Sequence, residues 1–152
     1  MQGGESVSNS ILPFSEPIAL ETKEVKEAKE WAWDFNNNEF LLKNGKMYLV
    51  YRDEAIKIWL WKLLKTEKYE AIIYSWNYGT ELMDLIGQGY SYGYIKAEVE
   101  RYIKEAIELN LSDYIKEVKD IDIDFKHTKL MVQFNINTIY NKGVNFEYGI
   151  HI

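Results

Sequence analysis

From residue 121 to the end of the chain the apolar side chains recur at every second position, which confines this stretch to strands with one buried face. Ile121, Ile123 and Phe125 alternate with Asp120, Asp122 and Asp124. Leu130, Val132, Phe134, Ile136 and Thr138 alternate with Met131, Gln133, Asn135 and Asn137, and Val144, Phe146, Tyr148, Ile150 and Ile152 alternate to the last residue. The connections at Lys126–Lys129 and Asn141-Lys142-Gly143 are short enough for an antiparallel meander. Ahead of these runs the period is helical. Ile56, Trp59, Leu60, Leu63 and Leu64 stand at i, i+3, i+4, i+7 and i+8, which predicts a helix over about 54–66 with Asp53 as its N-cap. Ile58 and Trp61 fall off that stripe, so this helix is either sandwiched between layers or partly covered by another chain. A second long helix is predicted from Tyr92 to Leu109, buried through Ile95, Val99, Tyr102, Ile103, Ala106 and Ile107. A short one, Glu81 to Ile86 behind a Thr80 cap, is expected to stop at Gly87-Gln88-Gly89.

The N-terminal part is less regular. Residues 1–17 hold both prolines, Gly3 and Gly4, and read as an arm, with Ile11, Leu12 and Phe14 as an apolar cluster that either tucks against its own domain or docks on a partner. Residues 22–30 are charged at almost every position and read as a solvated linker. Trp31, Trp33 and Phe35 share one face of a strand, and Lys43-Asn44-Gly45-Lys46 is a hairpin signal between Phe40–Leu42 and Met47–Tyr51. The expected architecture is α+β: an antiparallel sheet with about three helices packed on one face, a flexible arm over 1–20 and a single domain over 21–152.

Composition removes several classes of function. A net charge of −6 with no basic stripe argues against nucleic acid, and no apolar run approaches the ~18 residues of a membrane span. With no positive start to a signal peptide, a cytoplasmic protein is expected. The chain has no cysteine, and its two histidines, His127 and His151, sit in a predicted turn and next to the last residue, where neither serves a triad or a zinc site. Asp120, Asp122 and Asp124 line one strand face, but side chains ~7 Å apart are too wide for one cation. Acids are plentiful, with nothing to single out a glycosidase pair. No catalytic residue, metal or cofactor is expected. The unusual quantity is aromatic: 15% of residues, including Tyr69, Tyr74, Trp76 and Tyr78 close together and Tyr90, Tyr92 and Tyr94 beyond them. These are either core caps with a wet polar tip or a contact surface.

The run Leu64-Lys65-Thr66-Glu67-Lys68-Tyr69, followed by Tyr74-Ser75-Trp76-Asn77-Tyr78-Gly79-Thr80-Glu81-Leu82 and Asp84-Leu85-Ile86-Gly87, resembles the baseplate wedge, sheath-initiator family of contractile phage tails and phage-tail-like bacteriocins, in its Gram-positive branch. Wider members carry Gly-Glu-Arg where this chain reads Thr66-Glu67-Lys68. The resemblance spans about residues 46–150. It implies a structural protein in six copies per particle, made in the host bacterial cytoplasm and then carried in the baseplate of the released particle. Its partners would be wedge proteins, the sheath protein, and tube or hub proteins through the N-terminal arm at Ile11, Leu12 and Phe14. The wedge interface would include Thr66, Glu67, Tyr69, Trp76, Tyr78 and Gly79, and the sheath interface Val144, Phe146, Tyr148 and Ile150. The competing readings are a tail-associated peptidoglycan hydrolase, since the family has also been labelled lysozyme-like, and a small-molecule binding domain.

Overall fold

The computed structural model describes residues 24–68, 78–126 and 129–151. The arm with Ile11, Leu12 and Phe14 lies outside them, as do Tyr69, Trp76 and the β-like run that joins them. In chain order the elements are β1 (Lys29–Trp31), β2 (Trp33–Asp34), β3 (Glu39–Phe40), β4 (Leu42–Lys43), β5 (Lys46–Met47), β6 (Leu49–Tyr51), α1 (Asp53–Lys65), a single 3-10 turn (Leu82–Leu85), α2 (Tyr92–Leu111), β7 (Ile115–Lys126), β8 (Lys129–Thr138) and β9 (Val144–His151).

This corrects the expected architecture. Among the described residues there are two α-helices, not about three on one sheet face, and the strands fall into one three-stranded and three two-stranded antiparallel sheets. The predicted short helix tightens to one 3-10 turn between Glu81 and Ile86, with Gly87 and Gly89 at φ +77° and +70° behind it. The N-terminal strands are only two or three residues long and form a narrow ribbon: β1 pairs with β6, β2 with β3 and β4 with β5. The expected linker over 22–30 ends inside this ribbon, because Ala28 is fully buried and the Glu30 carboxylate accepts from Trp59 Nε1 (3.0 Å) and Lys62 Nζ (2.8 Å) of α1.

Strands β7, β8 and β9 form the expected antiparallel meander, but the alternation expected for Ile121, Ile123 and Phe125 does not reach Phe125, which is exposed. On β8, Leu130, Val132, Phe134, Ile136 and Thr138 are buried, with the residues between them more exposed. Two bulges interrupt β7, at Lys116 and at Asp120-Ile121, the second with Asp120 at φ +54°. They let Ile115, Val118, Ile121 and Ile123, spaced by three, three and two, all reach the inner face.

Helix α1 lies between the two layers. Ile56, Leu60, Leu63 and Leu64 join α2 and the sheet in one core with Ile103, Phe134 and Phe146. Each fully buried side chain there is worth about 1.5–3 kcal/mol of transfer free energy. The opposite flank meets the ribbon, where Trp61 packs on Trp33 (ring centroids 5.5 Å apart) and Phe35 (5.8 Å). Of the two ways to cover an all-round apolar helix, the sandwich is therefore the one the fold uses. Arg52, at φ +55°, occupies the N-cap position expected for Asp53. The Asp53 carboxylate instead accepts from Thr138 Oγ1 at 2.6 Å and from Asn141 Nδ2, tying the helix start to the β8–β9 corner.

Candidate functional site

Of the residues that carry the family resemblance, the described ones on either side of 69–77 form a clasp. Helix α1 ends at Thr66, whose hydroxyl donates back to the Lys62 carbonyl at 2.8 Å. The chain returns at Gly79-Thr80 in a short parallel bridge: Thr80 N–H donates to the Thr66 carbonyl at 2.9 Å and Lys68 N–H to the Thr80 carbonyl at 3.1 Å. Thr80 is buried, and its hydroxyl donates to the Leu64 carbonyl at 3.1 Å, so it satisfies a helix C-terminal carbonyl rather than capping the next element. Gly79, at φ +114°, is the turn residue that permits this approach. Thr66, Gly79 and Thr80 thus first of all tie the end of α1 to the chain where it returns at 79–80. Glu67 and Tyr78 lie partly exposed beside it, and the bland role of a core cap suits Tyr78, which packs against the core cluster.

The second candidate surface is the edge of the large sheet. Strand β9 pairs with β8 over its length, from Ile136↔Val144 to Lys129↔His151, and among the described residues its other side has no strand partner. Of the predicted sheath-facing side chains, Phe146 is buried while Val144 and Tyr148 are half-buried. Burial pushes the Tyr148 phenol up to about 12. What β9 offers outward is therefore its main chain together with Asn145, Glu147 and Gly149. An open groove of about 750 Å³ touches β9 at Glu147, Tyr148 and Gly149 and is walled by Phe35, Trp61, Lys65 and Met83. Sequence reasoning missed this groove, because it is made by the ribbon and the end of α1 meeting a strand some ninety residues away.

The tyrosines after the 3-10 turn divide between roles. Tyr92 donates its hydroxyl to the Ile123 carbonyl at 3.0 Å, and the Tyr90 and Tyr94 rings meet at a 45° tilt with centroids 4.7 Å apart. All three are about half exposed. In the ribbon, whose strands and Asn-Gly turn the sequence predicts, Trp31, Phe40, Leu42, Met47 and Tyr51 are 41–61% exposed.

Catalytic arrangements are not assembled by these residues. Lys96 beside Asp122, Lys68 beside Glu105, Lys119 beside Glu117 and the Asn37 and Asn36 amides beside Asp34 hold those carboxyls below their usual range. Partial burial pushes Glu30 up, but Lys62, the Trp31 amide and Trp59 outweigh it and the net shift is downward. A general acid needs the reverse. Among the described residues no three His, Asp or Glu side chains converge as a metal site, and no helix is long and apolar enough to cross a membrane.

The fold is thus a meander with one open edge among the described residues, packed on α1 and α2, with the end of α1 tied to the chain at 79–80. The family model described as contractile injection system sheath initiator matches residues 29–141, and the chain belongs to that family. It is 31% identical over 124 residues to the phage-like element PBSX protein XkdS of Bacillus subtilis (strain 168), covering 81% of this chain and 83% of the relative. A solved structure described as a tail lysozyme from Geobacter sulfurreducens aligns with TM-score 0.57 at 15% identity, over 75% of this chain and 96% of that one, and shares the fold. The protein is a structural component of a contractile tail's baseplate, a tail-particle protein that associates with other baseplate and sheath proteins.

Proposed function

We propose that the protein links the inner wedge of the baseplate to the first layer of sheath and nucleates sheath assembly, with six copies around the tube. In this reading the 66–79 clasp and its loop, with Thr66, Glu67, Tyr69, Trp76, Tyr78 and Gly79, face the wedge. The arm at Ile11, Leu12 and Phe14 reaches tube or hub proteins. Strand β9, over Val144, Phe146, Tyr148 and Ile150, receives a strand from the sheath subunit.

The observation that supports the sheath side best is the unpaired edge of β9 beside the groove at Glu147–Gly149. An exposed edge is a template for pairing: main-chain bonds supply affinity and the alternating side chains set register. Because Phe146 is buried, the recognition is by backbone, with the side chains of β9 holding the edge in place.

Proline substitution tests it. Along a strand successive N–H groups point to opposite sides, so of single prolines at 147 and 148 one removes only an outward donor and leaves the β8–β9 ladder intact. The expected result is a folded protein that enters baseplates on which sheath does not polymerise. Full-length sheath on baseplates carrying the proline that removes the outward donor would refute strand addition at β9. For the wedge side, Tyr78→Ala should keep the fold and lose co-purification with wedge protein. Incorporation at the wild-type level would move the anchor elsewhere.

A further inference from the structure

The outer edge of β9 starts close to where the described chain starts. Ala28 N–H donates to the Tyr140 hydroxyl at 2.9 Å, and Glu27 pairs with Arg52, the neighbour of the Asp53 that holds Thr138 and Asn141. Residues 27 and 28 therefore lie at the β8–β9 corner, and from this corner β9 runs away toward His151. A chain that reaches the corner by running beside β9 runs antiparallel to it. Residues 23–27 supply the turn, since five residues span up to about 17 Å.

The segment that would make this run alternates. Ile18, Leu20 and Thr22 fall on one side and Ala19, Glu21 and Lys23 on the other, with Pro17 directly ahead. Opposite residues of an antiparallel pair share a face, so Ile18, Leu20 and Thr22 match the inward side chains Tyr148, Phe146 and Val144, of which the first and last are only half-buried. Ala19 then stands opposite Glu147, and Glu21 opposite Asn145. A slip of one residue turns the apolar set outward. A slip of two either opposes Glu21 with Glu147 or draws Pro17, which has no N–H, into the paired run. One register remains.

We infer that in the free protein residues 18–22 pair with the outer edge of β9 as an antiparallel fourth strand, and that the sheath strand gains the edge by displacing them. An uncovered edge is a template for aggregation, and a segment tethered five residues away meets it at an effective concentration on the order of millimolar. A second copy of this chain, or a sheath subunit in solution, has to compete with that. Five residues held along one side only form a strand that opens locally at small cost, as exchange requires. The paired run stops at Pro17, which leaves Ile11, Leu12 and Phe14 available to the hub contact. The displacement rests on the reading of β9 as the edge that sheath binds; the pairing does not.

The test uses the full chain, which has no cysteine of its own. Ala19→Cys with Glu147→Cys sets two thiols opposite each other, within the Cα separation that a disulfide needs, and mild oxidation of a dilute sample should link them within one molecule. Ala19→Cys with Glu117→Cys, on the far strand β7, should stay reduced. In the wild type the outward amides of β9 should be protected from hydrogen exchange, and Leu20→Pro should speed their exchange at least tenfold. The protein linked between 19 and 147 should enter baseplates and block sheath assembly until reductant is added. Linking no faster than in the 117 pair, linked dimers in place of linked monomers, or unchanged exchange in Leu20→Pro would each overturn the pairing and leave the proline test of β9 untouched. Full-length sheath on the linked protein would overturn the displacement, and with it the reading of β9 as the sheath-binding edge, while the pairing stood.

Discussion

Gly79 stands against the carbonyl of Thr66: a Cβ built on the glycine would lie 2.5 Å from that oxygen, in a backbone already at φ +114°. The oxygen accepts the Thr80 N–H that closes the 67–79 loop, so it cannot retreat without breaking the bridge. The end of α1 and the chain at 79–80 are in this way held together by backbone contacts.

Gly79→Ala should therefore cost more than the about 1–3 kcal/mol typical of a strained backbone position, because steric overlap adds to the φ penalty. Gly87→Ala is the control. It has positive φ, +77°, but nothing within 4 Å of its Cβ, and should cost about 1–2 kcal/mol. Urea midpoints of the two variants measure the difference. Equal losses would mean that the clasp relaxes at no cost.

The corner at Thr138 gives a second expectation. Its buried hydroxyl donates to Asp53 at 2.6 Å and accepts from the Tyr140 and Asn141 amides at 3.0 Å each. Thr138→Val keeps the shape, strands two N–H donors and leaves the Asp53 carboxylate with Asn141 alone, for a loss of about 1–3 kcal/mol. Thermal unfolding would register it as a lowered midpoint, and Asp53→Asn should be milder because an amide oxygen still accepts.

How far these features were legible follows from where their determinants lie in the chain. Helices α1 and α2 and strands β8 and β9 show in the sequence because each keeps one period over eight residues or more. The Asn44-Gly45 turn shows because it needs positive φ at both positions, here +52° and +74°. The bulges in β7 do not show: Ile115, Val118 and Ile121 are three apart, a spacing that reads as helical or irregular until the partner strand supplies the register. Ala28 and Glu30 were hidden for another reason. A small residue and an acid amid charges carry no hydrophobic signal, and their burial and pairing are created by Trp59 and Lys62 some thirty residues on. The clasp motif was visible as a pattern, but its physical meaning, a glycine without room for a side chain, needed the fold.

Acid stability should depend on Glu30. Partial burial pushes its carboxyl up, but Lys62, the Trp31 amide and Trp59 hold it below the ordinary glutamate range in the folded state, so its contribution is present above that range and is lost as the pH falls through the folded value. Glu30→Gln should lower the thermal midpoint at pH 7 and approach the wild type near pH 3. A constant offset across that range would show that the loss is packing alone.

Tyr148 gives the opposite signature. Its phenol is pushed up to about 12 by burial, so the neutral form is the one the fold favours. The stability it contributes is complete below the ordinary value of 10 and drains away as the pH rises from 10 toward 12. Tyr148→Phe should flatten that alkaline decline while leaving the midpoint at pH 8 nearly unchanged, since the ring still fills its place beside Val132 on β8. Hydrogen exchange along β8 and β9 between pH 9 and 11 would localise the effect, with wild-type amides losing protection first around Tyr148 and the phenylalanine variant holding them. Loss of protection at the same pH in both proteins would place the alkaline weakness elsewhere in the sheet.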